Sequence, residues 1–157
     1  MRRSTAWSTW IAVGFVAVVG IAGVPIGAGA QWRTEVVAGL RFGPPLRAGL
    51  ALGVTHGTQV SFAQFAGPMA VAEVGIGGGR VSAGYLFAFP FASGVQVLAS
   101  AVRTWGSPAQ ADRKETLVGG ELRVSFLSVN VGVGVFRPLL SGDSRRTRIY
   151  MNAGFGI

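Results

Sequence analysis

Leu46-Arg47-Ala48-Gly49-Leu50-Ala51-Leu52-Gly53-Val54-Thr55 alternates residue by residue. Leu46, Ala48, Leu50, Leu52 and Val54 share one parity, and Arg47, Gly49, Ala51, Gly53 and Thr55 share the other. Successive side chains of a strand point to opposite faces, so this stretch is a strand with one apolar face and one face of small or polar residues. The same period of two recurs over 36–42, 70–76, 81–91, 95–101, 118–126, 129–135 and 149–157. Eight strands result, each about as long as a tilted strand needs to cross a bilayer. The breaks carry turn chemistry: Gly43-Pro44-Pro45, Gly77-Gly78-Gly79, Ser93-Gly94 and two longer polar stretches at 106–114 and 138–147. A three-residue loop at 43–45 would set Arg41 directly opposite Arg47, both inward. Residues 56–68 lose the alternation and are expected to extend a neighbouring strand or to form an ordered loop.

Composition decides which face points inward. Of 157 residues, 50% are hydrophobic and 13% charged, against about 25% charged in a soluble domain. A soluble barrel with its apolar face inside would expose the other face, which here is mostly glycine, alanine and serine. That face is too small and too weakly charged for an aqueous exterior. It suits the interior of an eight-stranded barrel, which side chains just fill. The expectation is an all-β chain forming an eight-stranded antiparallel up-and-down transmembrane β-barrel, with its apolar parity turned to lipid.

The first thirty residues read as an export address. Arg2 and Arg3 precede an uncharged apolar run from Ile11 to Ile26, and Ala28-Gly29-Ala30 follows as a small-x-small cleavage pattern. The run is shorter than the roughly 20 residues of a helical span. Residues 1–30 are expected to be a cleaved signal peptide and 31–157 the barrel. There is no cysteine, so neither a disulfide, a thiolate metal site nor a lipoprotein anchor is available. The single histidine cannot build a zinc site, and no cofactor is expected. The net charge of +8 calls for an anionic partner, and export directs that excess to a membrane surface instead of nucleic acid.

Three groups of residues stand out. Glu35, Glu73 and Glu121 share the inward parity with Arg41, Arg47, Arg80 and Arg123, which reads as a lumen charge network, since a charge in a narrow interior needs a partner. Such a plug argues against a wide pore. Arg103, Arg113, Lys114, Arg137, Arg145, Arg146 and Arg148 lie towards the end expected to face outward. They are candidate contacts for lipopolysaccharide phosphates, whose oxygens Arg engages in pairs. Ile149, Met151, Ala153, Phe155 and Ile157 alternate on the last strand. Gly75-Ile76-Gly77-Gly78-Gly79-Arg80 is followed by a strand instead of the helix that a phosphate loop needs, so it is a hairpin turn. His56 has no orienting carboxylate in the sequence around it and reads as a solvated or satisfied histidine.

This strand pattern resembles the small eight-stranded outer-membrane β-barrels of Gram-negative bacteria, the OmpA/OmpX-like group, over the whole segment 31–157. The terminal strand carries the most specific part of the likeness. Members of that group end on alternating apolar residues, the last usually aromatic, and the barrel-assembly machinery reads them. Here Ile149, Met151, Ala153, Phe155 and Ile157 fill those places, with Ile157 where Phe is commoner. The resemblance implies residence in the outer membrane, with lipid, lipopolysaccharide and the assembly machinery as partners. Some members are lipid A hydrolases that end in a pattern like His-x-Ser-Asn. Aligned on Asn152, the His and Ser places hold Ile149 and Met151. The expected role is therefore non-enzymatic: structural, anchoring or surface-interacting. An enzyme of outer-leaflet lipid and a narrow conduit for small or apolar solutes are the alternatives.

Overall fold

A computed structural model describes residues 31–61, 64–139 and 147–156. The signal-peptide reading of 1–30, together with Arg145, Arg146 and Ile157, lies outside these described residues. Eight strands run β1 Gln31–Gly43, β2 Arg47–Ser61, β3 Gln64–Gly75, β4 Gly78–Phe89, β5 Ser93–Thr104, β6 Thr116–Phe126, β7 Val129–Pro138 and β8 Arg148–Gly156. Each pairs antiparallel with the next, and β8 closes on β1, giving a barrel in the order β1 to β8. Closure gives every strand a neighbour on both sides, β1 meeting β8 over Gly39–Phe42. The near end carries Gln31 and Gly156 with the short turns at 90–92 and 127–128. The far end carries the turns at 44–46 and 76–77 and the long connection 105–115.

Residues 56–61 and 64–68 belong to strands, so the segment without clear alternation is the end of β2 and the start of β3. Two other expectations on boundaries shift. β4 stops at Phe89, because Pro90 has no N–H for the ladder and Phe91 and Ala92 turn through positive φ. The β1–β2 turn is set one residue later than expected: Gly43 pairs with Arg47, and Arg41 lies opposite Gly49. Arg47 has φ 66°, which interrupts the alternation at the start of β2. As a result Leu46 is buried and Arg47 is exposed.

The exterior is an apolar belt. Val36, Leu50, Val74, Val81, Val97, Leu122, Val133 and Met151, one from each strand in turn, are all exposed, reaching 69% at Val36 and 68% at Met151. Trp32, Phe87, Phe89, Phe126 and Phe155 are exposed towards the near end, and Phe42 and Trp105 towards the far end. On β8, Ile149, Met151, Ala153 and Phe155 all face outward.

Two apolar clusters occupy the interior among the described residues. Towards the far end Leu46, Val102, Leu117, Phe136 and Tyr150 pack together, with Ala111 of the long connection against them. Towards the near end Ala51, Met69, Val71 and Leu98 form a second cluster. Between these clusters the inward face is charged.

Glycines make room for that charge. Register places Gly132 between Arg123 and Asn152, Gly134 between Glu121 and Tyr150, and Gly154 between Asn130 and Arg41. A Cβ at Gly132 would lie 2.8 Å from Asn152 Oδ1 and 2.9 Å from Arg123 Cγ. Each row alternates a large side chain, a glycine and a large side chain. This accounts for the Val-Gly alternation of β7: valines face out, glycines face in, and neighbouring strands supply the bulk.

Candidate functional site

The lumen network is built from three places. Glu73 on β3 and Arg80 on β4 are direct cross-strand partners. Glu121 and Arg123 lie two apart on β6 and so share its inner face. Asn152 enters from β8. Arg80 donates through Nε to Glu73 Oε2 at 2.9 Å, through Nη2 to the same oxygen, and through Nη1 to Glu121 Oε2 at 2.8 Å. Arg123 donates to Glu121 Oε1 at 2.6 Å, to Glu121 Oε2 at 3.1 Å and to Glu73 Oε1 at 2.6 Å. Asn152 Nδ2 donates to Glu121 Oε1 at 2.7 Å. Glu73 and Arg123 are each 1% exposed. Two forked guanidiniums bridging two carboxylates tie β3, β4 and β6 across the lumen, a geometry that a lysine ammonium could not reproduce, and Asn152 adds β8.

Arg41 joins at the margin, its Nε 3.9 Å from Glu73 Oε1. Glu35 and Arg47, expected in the same network, stand outside it, and both are exposed. Glu35 has the inward parity, but β8 pairs with β1 only over Gly39–Phe42, so the wall does not close around Glu35. Arg47 is turned out by its positive φ. Asn130 and Asn152 were legible only as inward positions on β7 and β8. Nothing in the sequence tied Asn152 to Glu121, because that contact depends on the stagger of the closed barrel.

At the far end the connection 105–115 folds over the mouth. Ala109 N donates to Pro45 O at 3.1 Å and Trp105 N to Gly77 O at 3.0 Å, joining it to both neighbouring turns. Thr104 Oγ1 donates to Asp112 O at 2.5 Å and accepts from Glu115 N at 2.8 Å. Arg148 latches the fold: Nη1 reaches Glu115 Oε2 at 2.6 Å and Nη2 lies 3.6 Å from Asp112 Oδ2. Tyr150 OH donates to Gln110 O at 3.2 Å. Arg148, expected to face lipopolysaccharide, thus spends its charge within the chain. Replacing it with alanine is expected to cost about 1 kcal/mol, because the latch is partly solvated. Limited proteolysis is the readout, with faster cleavage inside 105–115 than in the wild type.

The remaining basic residues divide by direction. Arg103 and Arg137 are exposed on the outer wall near the far end. Arg103 Nη1 donates to Thr116 Oγ1 at 2.5 Å, and Arg137 Nε to Thr147 Oγ1 at 3.1 Å. Among the described residues neither forms an ion pair. Arg113 and Lys114 are exposed in the connection above them. The Trp105 ring lies over Gly79 on the same wall, 2.5 Å from where a Cβ would be.

His56 is exposed on β2, away from both sites. It stacks on Trp32 with centroids 4.9 Å apart, and its Nδ1 is 2.8 Å from Thr34 Oγ1.

No protein-family model, curated protein or solved structure matches the chain.

Proposed function

We propose that this chain is an exported outer-membrane β-barrel of the OmpA/OmpX-like kind, with a non-enzymatic structural, anchoring or surface-interacting role. The observation that carries the reading is the apolar belt, exposed on every strand around a charged lumen. Water would penalise that belt at about 25 cal/mol per Å2 of apolar surface, a penalty that lipid removes. Aromatic side chains towards both ends of the belt suit the two interfaces of a bilayer. The far end, which carries the long connection, faces outward, and the short turns face the periplasm. A lumen filled by two apolar clusters and an ionic layer favours a rigid anchor over a conduit.

Arg103 and Arg137, with Arg113 and Lys114 above them, then meet the phosphates of lipopolysaccharide from the side. Threonine hydroxyls hold the two wall arginines without consuming their charge. The test compares lipopolysaccharide binding by wild type, Arg103→Ala/Arg137→Ala and Arg148→Ala. At about 1 kcal/mol for each solvated contact, the double variant is expected to bind roughly thirtyfold more weakly. Arg148→Ala is expected to bind as the wild type does. Undiminished binding by the double variant, or equal binding of dephosphorylated lipid by the wild type, would overturn the rim assignment.

A further inference from the structure

The two near-end turns carry bulky apolar residues where the backbone favours glycine. In the turn 90–92, Phe91 has φ 63° and Ala92 φ 50°. In the turn 127–128, Leu127 has φ 47° and Ser128 φ 68°. Positive φ is uncommon outside glycine and unfavourable for bulky side chains, and tight hairpin turns of this kind usually hold Asn-Gly or Gly-Gly. Phe91 and Leu127 are nevertheless 82% and 60% exposed. Backbone strain that gains no burial for its side chain is a mark of function.

The two turns form one ledge. Phe126 pairs with Ser93, and Leu127 N donates to Ala92 O at 3.1 Å. Ser128 O accepts from Gly156 N at 2.9 Å. These turn groups are bonded to neighbouring chain instead of to water, as backbone within a bilayer must be. The ledge runs into the outer belt through Phe89 and Phe126, both exposed. No charged residue occurs from Val81 to Val102 or from Val124 to Phe136, the segments that hold the two turns. By contrast, the far-end connection carries Asp112, Arg113, Lys114 and Glu115. The near end of β1 and β2 exposes Arg33, Glu35 and His56. Charge marks the far end and the β1–β2 corner and is missing around the two turns.

We infer that the turns 90–92 and 127–128 insert into the bilayer leaflet on the periplasmic side, led by Phe91 and Leu127, while the β1–β2 corner stands in water. Lipid is the occupant, because the ledge continues the belt and offers no charge to a polar partner. The inference rests on the membrane reading and goes beyond it, since short turns would otherwise end in the aqueous phase.

The chain has no cysteine, so a single substitution places one fluorophore at a chosen site. Phe91→Cys, Leu127→Cys, Leu122→Cys, Arg33→Cys and Lys114→Cys are each labelled with bimane and refolded into phosphatidylcholine vesicles. Nitroxides on the acyl chains of both leaflets quench the label, whichever way the barrel inserts. Quenching at 91 and 127 is expected to be several-fold stronger than at 33 and 114 and to approach that at 122. Strong quenching at 122, with 91 and 127 as weak as 114, overturns the insertion of the turns and leaves the lipid-facing belt standing. Weak quenching at 122 as well overturns both. Quenching at 33 as strong as at 91 overturns the inference too, because the corner would then lie at the same depth. The two turn positions are read separately, so where one variant does not fold the other decides.

Discussion

Glu73→Ala leaves three buried arginines facing a single carboxylate, and the barrel is expected to lose most of its stability. Glu73 accepts from both Arg80 and Arg123 and lies within reach of Arg41. Removing one partner of a buried pair strands the other charge and costs about 3–5 kcal/mol, against a total stability of roughly 5–15 kcal/mol. The double change Glu73→Gln/Arg80→Gln removes one charge of each sign and is expected to recover a large part of the loss. Glu35→Ala, on the exposed start of β1, is expected to stay within about 0.5 kcal/mol of the wild type. Urea titration of the refolded protein measures all three. Equal midpoints for Glu73→Ala and Glu35→Ala would contradict the network.

Leu122→Arg is expected to cost about 2–4 kcal/mol in a bilayer, the usual range for a charge facing mid-membrane lipid from a barrel wall. Leu122 is 45% exposed and lies between Glu121 and Arg123, whose side chains point the opposite way. In a water-soluble barrel the same change would remove an exposed apolar side chain and cost almost nothing. The two predictions therefore probe opposite faces of the barrel wall, Glu73 on the inner face of β3 and Leu122 on the outer face of β6. The readout is folding yield into vesicles against yield in detergent micelles, where the charge reaches water more easily and the loss is expected to shrink.

The strands were legible wherever outward and inward residues differed in kind. Val129, Val131, Val133 and Val135 against Asn130, Gly132 and Gly134 is such a case, and β7 shows the assigned facing. Towards the near end of β2 and β3 the contrast fades. His56 and Thr58 occupy outward places and Gly57 and Gly67 inward ones, so hydropathy carries no period there. Turn geometry was less legible than strand facing. Arg47 has the inward parity, yet its left-handed backbone reverses it, and no hydropathy pattern encodes a single φ.

Within the candidate site, Arg80, Glu73, Glu121 and Arg123 were legible as inward charges, because so few charged residues share that parity. Their pairing followed from register. The far-end latch was not legible, because Arg148, Glu115 and Asp112 come together only when the connection folds across the mouth. Of the candidate contacts placed towards that end, Arg103 and Arg137 lie on the outer wall, and Arg148 turns into the latch.

On the proposed reading, the apolar belt requires lipid or detergent for folding. Residues 31–157 refolded into vesicles and into plain buffer are compared by electrophoresis with and without boiling, alongside circular dichroism. A boiling-dependent mobility shift with β-type dichroism in vesicles and aggregation in buffer are expected. A monomer that folds stably in buffer, with the same β-type spectrum and no need of lipid or detergent, would contradict it.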